Sequence, residues 1–256
     1  MPFYDRFVLE LIYEVEPSPN LPDLQPTRII GLDLGVNNLV ATSDGLLIKG
    51  GVIKTINQRY NKQLAKYRAL AAQQNQSPWT KRILRLHRQR TNKLADILHQ
   101  TSRQLISYCQ IHQIGTIVVG YNPQWKQQCN LGRRTNQNFI QIPFLKFVRM
   151  LEYKASRVGI QVLRRTEAYT SQRCSHCGVL SSINRHCRGL YQCRSCGIRL
   201  NADTNAACNI RQNYLLSFPS SQVVLRKAPI FPRGFSPDSG GMTPPVQNSY
   251  HYFTHV

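Results

Sequence analysis

The stretch 28-RIIGLDLGVNNLVATSDG-45 sets one acid, Asp33, into an apolar strand. Ile30, Leu32 and Leu34 around it mark that strand as buried. "LVAT" and the following "LLIKG" flank Ser43-Asp44-Gly45, a hairpin signal, so the region reads as three short strands. An ionised carboxylate in such a strand is costly unless it is paired or holds a cation. Asp33 is therefore the first candidate for chemistry, whereas Asp44 is explained by ordinary turn chemistry.

Acids are scarce enough for each to matter. The 256 residues carry 33 Lys and Arg against 12 Asp and Glu, a formal charge of +21, which points to a polyanionic partner and most simply to nucleic acid. The charge is concentrated: 16 basic residues and one acid, Asp96, lie between Lys49 and Arg134. A merely solvated helical face would mix signs. A membrane partner is not expected, because no basic amphipathic helix carries Trp or Phe and no apolar run approaches about 18 residues. The N-terminal "MPFYDRFVLELIYEVE" has neither a basic leader nor a small-residue cleavage site, and the chain is expected in the cytoplasm, or with the nucleoid when bound to DNA. In that setting eight cysteines suggest metal binding or free thiols before disulfides.

Outward from the opening stretch, Phe7 to Glu16 reads as a strand, followed by a Pro-rich connector. A helix is predicted from Ile56 to about Gln74. A second runs to about His112, with Ser77 as N-cap and Pro78 as first helical residue. Ile83, Leu86, Leu94, Ile97, Leu98, Thr101 and Leu105 give it one apolar face. Lys81, Arg85 and Arg88 form a stripe on another, suited to phosphates. "TIVVG" is a buried strand ending at Gly120. The polar loop after it, 122-NPQWKQQCNLGRRTNQN-138, adds Lys126, Arg133 and Arg134 as nucleic-acid contacts. A helix over about 143–158, a strand 159-GIQVLRRTE-167 and a helix over 202–214 complete the ordered part, and from Leu215 onward the lack of any period predicts a disordered tail.

The firmest local motif is Cys174-x2-Cys177, fifteen residues, Cys193-x2-Cys196. Two turns presenting two thiolates each make a tetrahedral four-sulfur site, the structural zinc arrangement. Gly178 and Gly197 follow the pairs, where a tight turn favours a residue without Cβ. His176, His186 and Cys187 are bystanders, and Cys109, Cys129 and Cys208 are structural or incidental. Among the remaining acids, Asp203 in "LNADTNAACNI" opens a helix and could be a cap or a ligand. Glu152 reads as a solvated helix face with Arg149 or Lys154, and Glu167 ends a strand beside Arg164 and Arg165.

"GLDLGVNNLVATSDG", "YTSQRCSHCG" and "CRSCGIRLNADTNAACNI", in that order, resemble the C-terminal half of TnpB proteins, the OrfB-type proteins of bacterial insertion sequences related to type V CRISPR effectors. The resemblance covers about residues 14–213. It implies a RuvC domain of the RNase H fold, an α/β mixed sheet flanked by helices with an inserted zinc ribbon. It also implies two magnesium ions and RNA-guided cleavage of DNA. The implied division is a remnant strand and linker (1–26), a RuvC core (27–172) with a basic helical hairpin (about 56–112), the ribbon (173–198), a last helix (199–214) and the tail (215–256). Asp33 matches the first RuvC aspartate and Asp203 the last. The family's second motif places a glutamate at the end of the strand that here ends in Gly120; that is a departure. In an RNase H-type sheet the strand ending near Glu167 is adjacent and parallel, about 4.8 Å away, so Glu167 is the expected substitute ligand. The family's guide-binding N-terminal half is expected to be lacking. The alternatives are a nuclease-inactive nucleic-acid-binding regulator and a truncated transposon relic.

Overall fold

The computed structural model describes residues 24–77, 79–122, 133–184 and 189–217, with the side chains of 133–135 left out. The predicted strand over 7–16, the connector up to residue 23, His186, Cys187, Cys129, Lys126 and the tail from 218 lie outside the described residues; Gln25 and Pro26, read as connector, open the first strand, and Leu215, read as the start of the tail, still closes the last helix.

The stretch that opened the reading forms β1 (Gln25–Leu34), β2 (Asn38–Thr42) and β3 (Leu47–Lys49). They pair antiparallel as a meander, with Asp33 opposite Ala41. β4 (Ile114–Gly120) then joins β1 in parallel and β5 (Gln161–Arg165) joins β4 in parallel, giving the order β3-β2-β1-β4-β5. Parallel neighbours require helical crossovers. These are α1 (Gly51–Gln73) with α2 (Lys81–Ile111) before β4, and α3 (Arg133–Ile140) with α4 (Phe144–Ser156) before β5.

Alternation along a strand gives the sheet two faces. Ile30, Leu32 and Leu34 of β1 with Ile117 and Val119 of β4 face the main core, against Leu94, Leu98 and Leu105 of α2 and Phe147 and Leu151 of α4. Ile29, Val118 and Leu163 face the last helix, α5 (Ala202–Leu215), through Ile210, Tyr214 and Leu215. By the same alternation Gly31, Asp33 and Gly120 belong to the α5 face. Gly31 permits that packing: a Cβ there would run into the carbonyl oxygen of Ala207 and come within 2.9 Å of the amide of Arg211. β6 (Leu190–Gln192) and β7 (Arg199–Asn201) form a separate antiparallel hairpin carrying the second cysteine pair.

Three local expectations are corrected. The first helix starts at Gly51 rather than Ile56, directly behind β3. The N-cap of α2 is Thr80, whose hydroxyl accepts from the amide of Ile83, so the predicted cap at Ser77 is wrong by one turn. Helix α3 lies where a polar loop was expected; its residues lack the apolar period that marks a helix in sequence. The apolar face of α2 is as read, with Ile83, Leu86, Leu94, Leu98, Thr101 and Leu105 buried and Ile97 packed against the core. Among the described residues no helix is long and apolar enough to cross a membrane.

Candidate metal centres and nucleic-acid face

Register brings the three singled-out carboxylates to one edge of the sheet. Leu32 pairs with Val119 and Gly120 with Arg165, so Asp33, Gly120 and Arg165 stand level on adjacent parallel strands about 4.8 Å apart. Glu167 lies two residues beyond Arg165, and its side chain turns back over Gly120. A Cβ on Gly120 would sit 2.8 Å from both Cγ and Oε1 of Glu167. The carboxylate thus occupies the space a side chain at position 120 would take. Oε1 is buried.

Asp203 reaches the same edge from the helix side. The backbone of α5 meets Gly31 at Ala207, and Asp203 lies one turn earlier, about 6 Å along the axis. Asp33 lies two residues past Gly31, about 6.6 Å along the strand. Ile29, before Gly31, packs against the cluster of Ile210, Tyr214 and Leu215, after Ala207, so α5 runs antiparallel to β1 and Asp203 lies toward the Asp33 end of the strand. A direct contact agrees with this: the Asn38 amide, where β2 begins, donates to Asp203 Oδ2 at 2.8 Å. Asn38 is 5% exposed. Asp203 is not the helix cap. That role belongs to Asn201, whose Oδ1 accepts from the amides of Asp203 (2.9 Å) and Thr204 (3.2 Å), leaving the Asp203 carboxylate for other work.

The arginines weighed as partners for the acids have contacts of their own. Glu152 takes Arg164 in a bidentate pair, 2.7 Å to each oxygen, instead of Arg149 or Lys154. Arg165 lies over the Tyr214 ring, 5.5 Å from its centre. Both arginines weighed as partners for Glu167 are thus engaged elsewhere.

The cysteine knuckles are near copies of one another. Gly178 and Gly197 adopt φ of +77° and +73°, and their amides donate to the carbonyls of Cys174 and Cys193, each at 2.9 Å. All four sulfurs lie within 4.8 Å of one another, with Cys174 and Cys196 3.8 Å apart and Cys177 and Cys193 3.6 Å apart. A tetrahedral ion with metal–sulfur bonds of about 2.3 Å sets its ligands about 3.8 Å apart, so these residues fit a zinc-sized ion. Burial pushes the Cys174 thiol up to about 12; at Cys193 burial is outweighed by the amides of Cys196 and Ser195, which bring the thiol down to about 7. The carboxylates are not drawn together as tightly as the sulfurs.

α5 is tied to the segment between the two sites by amides that the sequence reading missed. Asn205 accepts from the amide of Ser175 (2.9 Å) and donates to the Arg173 carbonyl (2.8 Å). Asn209 donates to the carbonyls of Thr170 (2.8 Å) and Arg173 (2.7 Å), and Gln212 to that of Ser175 (2.8 Å). Spaced at i, i+4 and i+7, they form one polar helix face, and that spacing of amides in "NADTNAACNIRQN" was the available signal.

Of the basic candidates, Lys81 and Arg85 are exposed and Arg88 is half-buried, on the first turns of α2. Cations there oppose the helix dipole, an arrangement that a bound anion would relieve. Arg90 is spent internally, on Asn57 Oδ1 (2.7 Å) and the Gln141 carbonyl (2.9 Å), which locks the hairpin to the α3–α4 turn. Arg133 and Arg134 open α3.

The comparisons with known proteins match this layout. The OrfB/IS605 family model, described as "Probable transposase", matches residues 10–126, and the model described as "Cas12f1-like, TNB domain" matches 144–210. The chain is 30% identical over 222 residues to a "CRISPR-associated endodeoxyribonuclease Cas12f1" of Sulfoacidibacillus thermotolerans, covering 80% of this chain and 50% of that protein. It is 28% identical over 212 residues to the "Putative RNA-guided DNA endonuclease InsQ" of Escherichia coli K12, covering 77% and 52%. A Cas12f1–sgRNA–target DNA complex superposes with a TM-score of 0.57 at 20% identity, over 74% of this chain and 51% of that one, which shows a shared fold. The chain is of the OrfB type. Within that class it is a TnpB-type protein, related to the type V effectors. It spans about half the length of the curated relatives it matches.

Proposed function

We propose that this chain is the nuclease module of a TnpB-type, RNA-guided DNA endonuclease. In this reading the sheet is RNase H-like (RuvC), the four cysteines hold structural zinc, and Asp33, Glu167 and Asp203 are the catalytic carboxylates. The observation that carries it is the Glu167 side chain lying over Gly120, at the place the family's second-motif glutamate would fill. The meander β3-β2-β1 followed by parallel β4 and β5 supports the RNase H-like assignment. Carboxylate oxygens suit Mg2+, and a pair of such ions would activate the attacking water and stabilise the leaving oxygen during phosphodiester hydrolysis. The chain's own groups do the rest. Asn38 fixes the rotation of the Asp203 carboxylate, the Asn205–Asn209–Gln212 face holds α5 against the Glu167 segment, and Lys81, Arg85 and Arg88 offer contacts to DNA or guide RNA backbone.

The test is divalent-ion binding by calorimetry together with cleavage of target DNA by the chain joined to a relative's guide-binding half. Mg2+-dependent cleavage that Asp33→Asn removes supports the proposal. Loss of ion binding, with DNA binding intact and no cleavage by the parent, would replace it with the inactive-binder reading.

Two further outcomes are expected. Purified protein should contain about one zinc per chain, with Cys174 and Cys196 protected from alkylation until a chelator is added. A metal-free preparation with freely alkylated cysteines contradicts the assignment. Asn38→Ala should weaken Mn2+ binding by about 10- to 100-fold, the usual cost of removing a group that orients a metal ligand, while zinc content stays unchanged. Unaltered Mn2+ affinity would remove Asn38 from this role.

A further inference from the structure

Two residues beyond Glu167, Tyr169 holds a left-handed backbone conformation, φ +61°, with its side chain turned out to solvent at 69% exposure. Both features cost free energy: the left-handed region disfavours a residue with a bulky side chain, and a large ring in water gains nothing from burial. The conformation is held in place by its surroundings. The Tyr169 carbonyl accepts from the amides of Gln172 and Arg173, each at 3.1 Å, and Thr170 is fastened to the Glu167 carbonyl through its own amide (3.1 Å) and hydroxyl (2.8 Å).

Beside the ring is a cavity of about 300 Å³, lined by Ala168, Tyr169, Thr170, Arg173, Leu180 and Asn213. That volume is at the small end of ligand sites. Its walls are an aromatic ring, an aliphatic side chain, a guanidinium and a carboxamide; the Arg173 Nη1 donates to Asn213 Oδ1 at 3.4 Å. A flat π-surface, an apolar wall and a cation with an amide at the rim suit a flat heterocycle joined to an anion, which is a nucleotide.

We propose that this cavity is a nucleobase-binding subsite: Tyr169 stacks an unpaired base of single-stranded DNA, and Arg173 meets the neighbouring phosphate. The subsite would hold the strand within two residues' reach of Glu167. The inference rests on the nuclease reading for its choice of DNA, but stacking needs no catalysis and is measured separately.

The experiment uses the full chain in Ca2+ buffer and the anisotropy of labelled oligonucleotides. Tyr169→Ala should weaken binding of single-stranded DNA by about fivefold or more, and Tyr169→Phe and Tyr169→Trp should keep it. The loss should vanish on an oligonucleotide of abasic sites and be small on duplex DNA, whose bases are already stacked. Tyr169→Gly separates the subsite from folding: it relieves the left-handed backbone, so the melting temperature should hold or rise while single-strand binding falls. Equal affinity of wild type and Tyr169→Ala overturns the proposal, and so does a loss that is the same for abasic, duplex and single-stranded DNA. A parent chain that never cleaves would sink the nuclease reading and leave this measurement standing.

Discussion

Under the proposed nuclease function, Glu167→Gln is expected to remove Mg2+-dependent cleavage as completely as Asp33→Asn, by on the order of a thousandfold or more, and Gly120→Glu in the Glu167→Gln background is expected to restore part of it. The first half follows from charge. Asp33 and Asp203 alone supply too few oxygens and too little negative charge to hold two divalent ions, and residues acting as one unit fail together. The second half follows from the space above Gly120. The three atoms nearest a Cβ there are Ile210 Cδ1 at 2.5 Å and Glu167 Cγ and Oε1 at 2.8 Å, all of them side-chain atoms that can rotate away. A glutamate at position 120 can therefore be accommodated, and it approaches the site from the strand next to Asp33. Gly120→Glu alone should impair the proposed cleavage, since two carboxylates then compete for one space. The readout is cleavage of labelled target DNA with Mn2+ binding measured alongside. Normal cutting by Glu167→Gln beside a dead Asp33→Asn would refute the relocation.

Gly31→Ala is expected to cost about 3 kcal/mol or more, lowering the melting temperature by roughly 6–12 °C, although it adds a single methyl group. The contrast with Gly120 is in what the new Cβ meets. At Gly31 it meets the Ala207 carbonyl oxygen and the Arg211 amide, both helix backbone, together with Arg211 Cβ at 3.0 Å. Backbone inside a helix cannot rotate aside, so α5 must lift as a body from β1. Lifting α5 moves Asp203 away from Asp33 and breaks the Asn38 contact, so Mn2+ affinity should fall with stability. A variant that melts with the wild type would show that α5 does not lie on β1 as closely as described.

The stability of α5 against the sheet also explains why the chain places buried amides where carboxylates or lysines would be cheaper to solvate. Asn205 and Asn209 are fully buried, and each satisfies backbone groups of the 170–175 segment that have no strand partner. A helix held only by Ile210, Tyr214 and Leu215 could slide along the apolar face; directional bonds fix its register.

What the sequence determined alone is chemistry carried by short-range spacing. The two C-x2-C-G knuckles, the acid inside "RIIGLDLG", the turn at Asp44, the apolar face of α2 and the buried strand ending at Gly120 depend on residues a few positions apart, where periodicity and turn chemistry act directly. Helix α3 and the Thr80 cap escaped for the same reason: one has no apolar period, and the other competes with a nearby Ser-Pro that mimics it. Tertiary structure alone decided everything that depends on register between distant segments. The family resemblance led to Glu167 as a substitute near Gly120, but that its side chain lies over Gly120 follows from the register in which β5 pairs in parallel with β4 across two intervening helices. Glu152 meets Arg164 because α4 folds back onto that strand. Asn38 reaches Asp203, 165 positions away, because Gly31 lets α5 rest on β1. A shift of one residue in any of these pairings would turn the side chains to the other face of the sheet, and no local pattern records which register is taken.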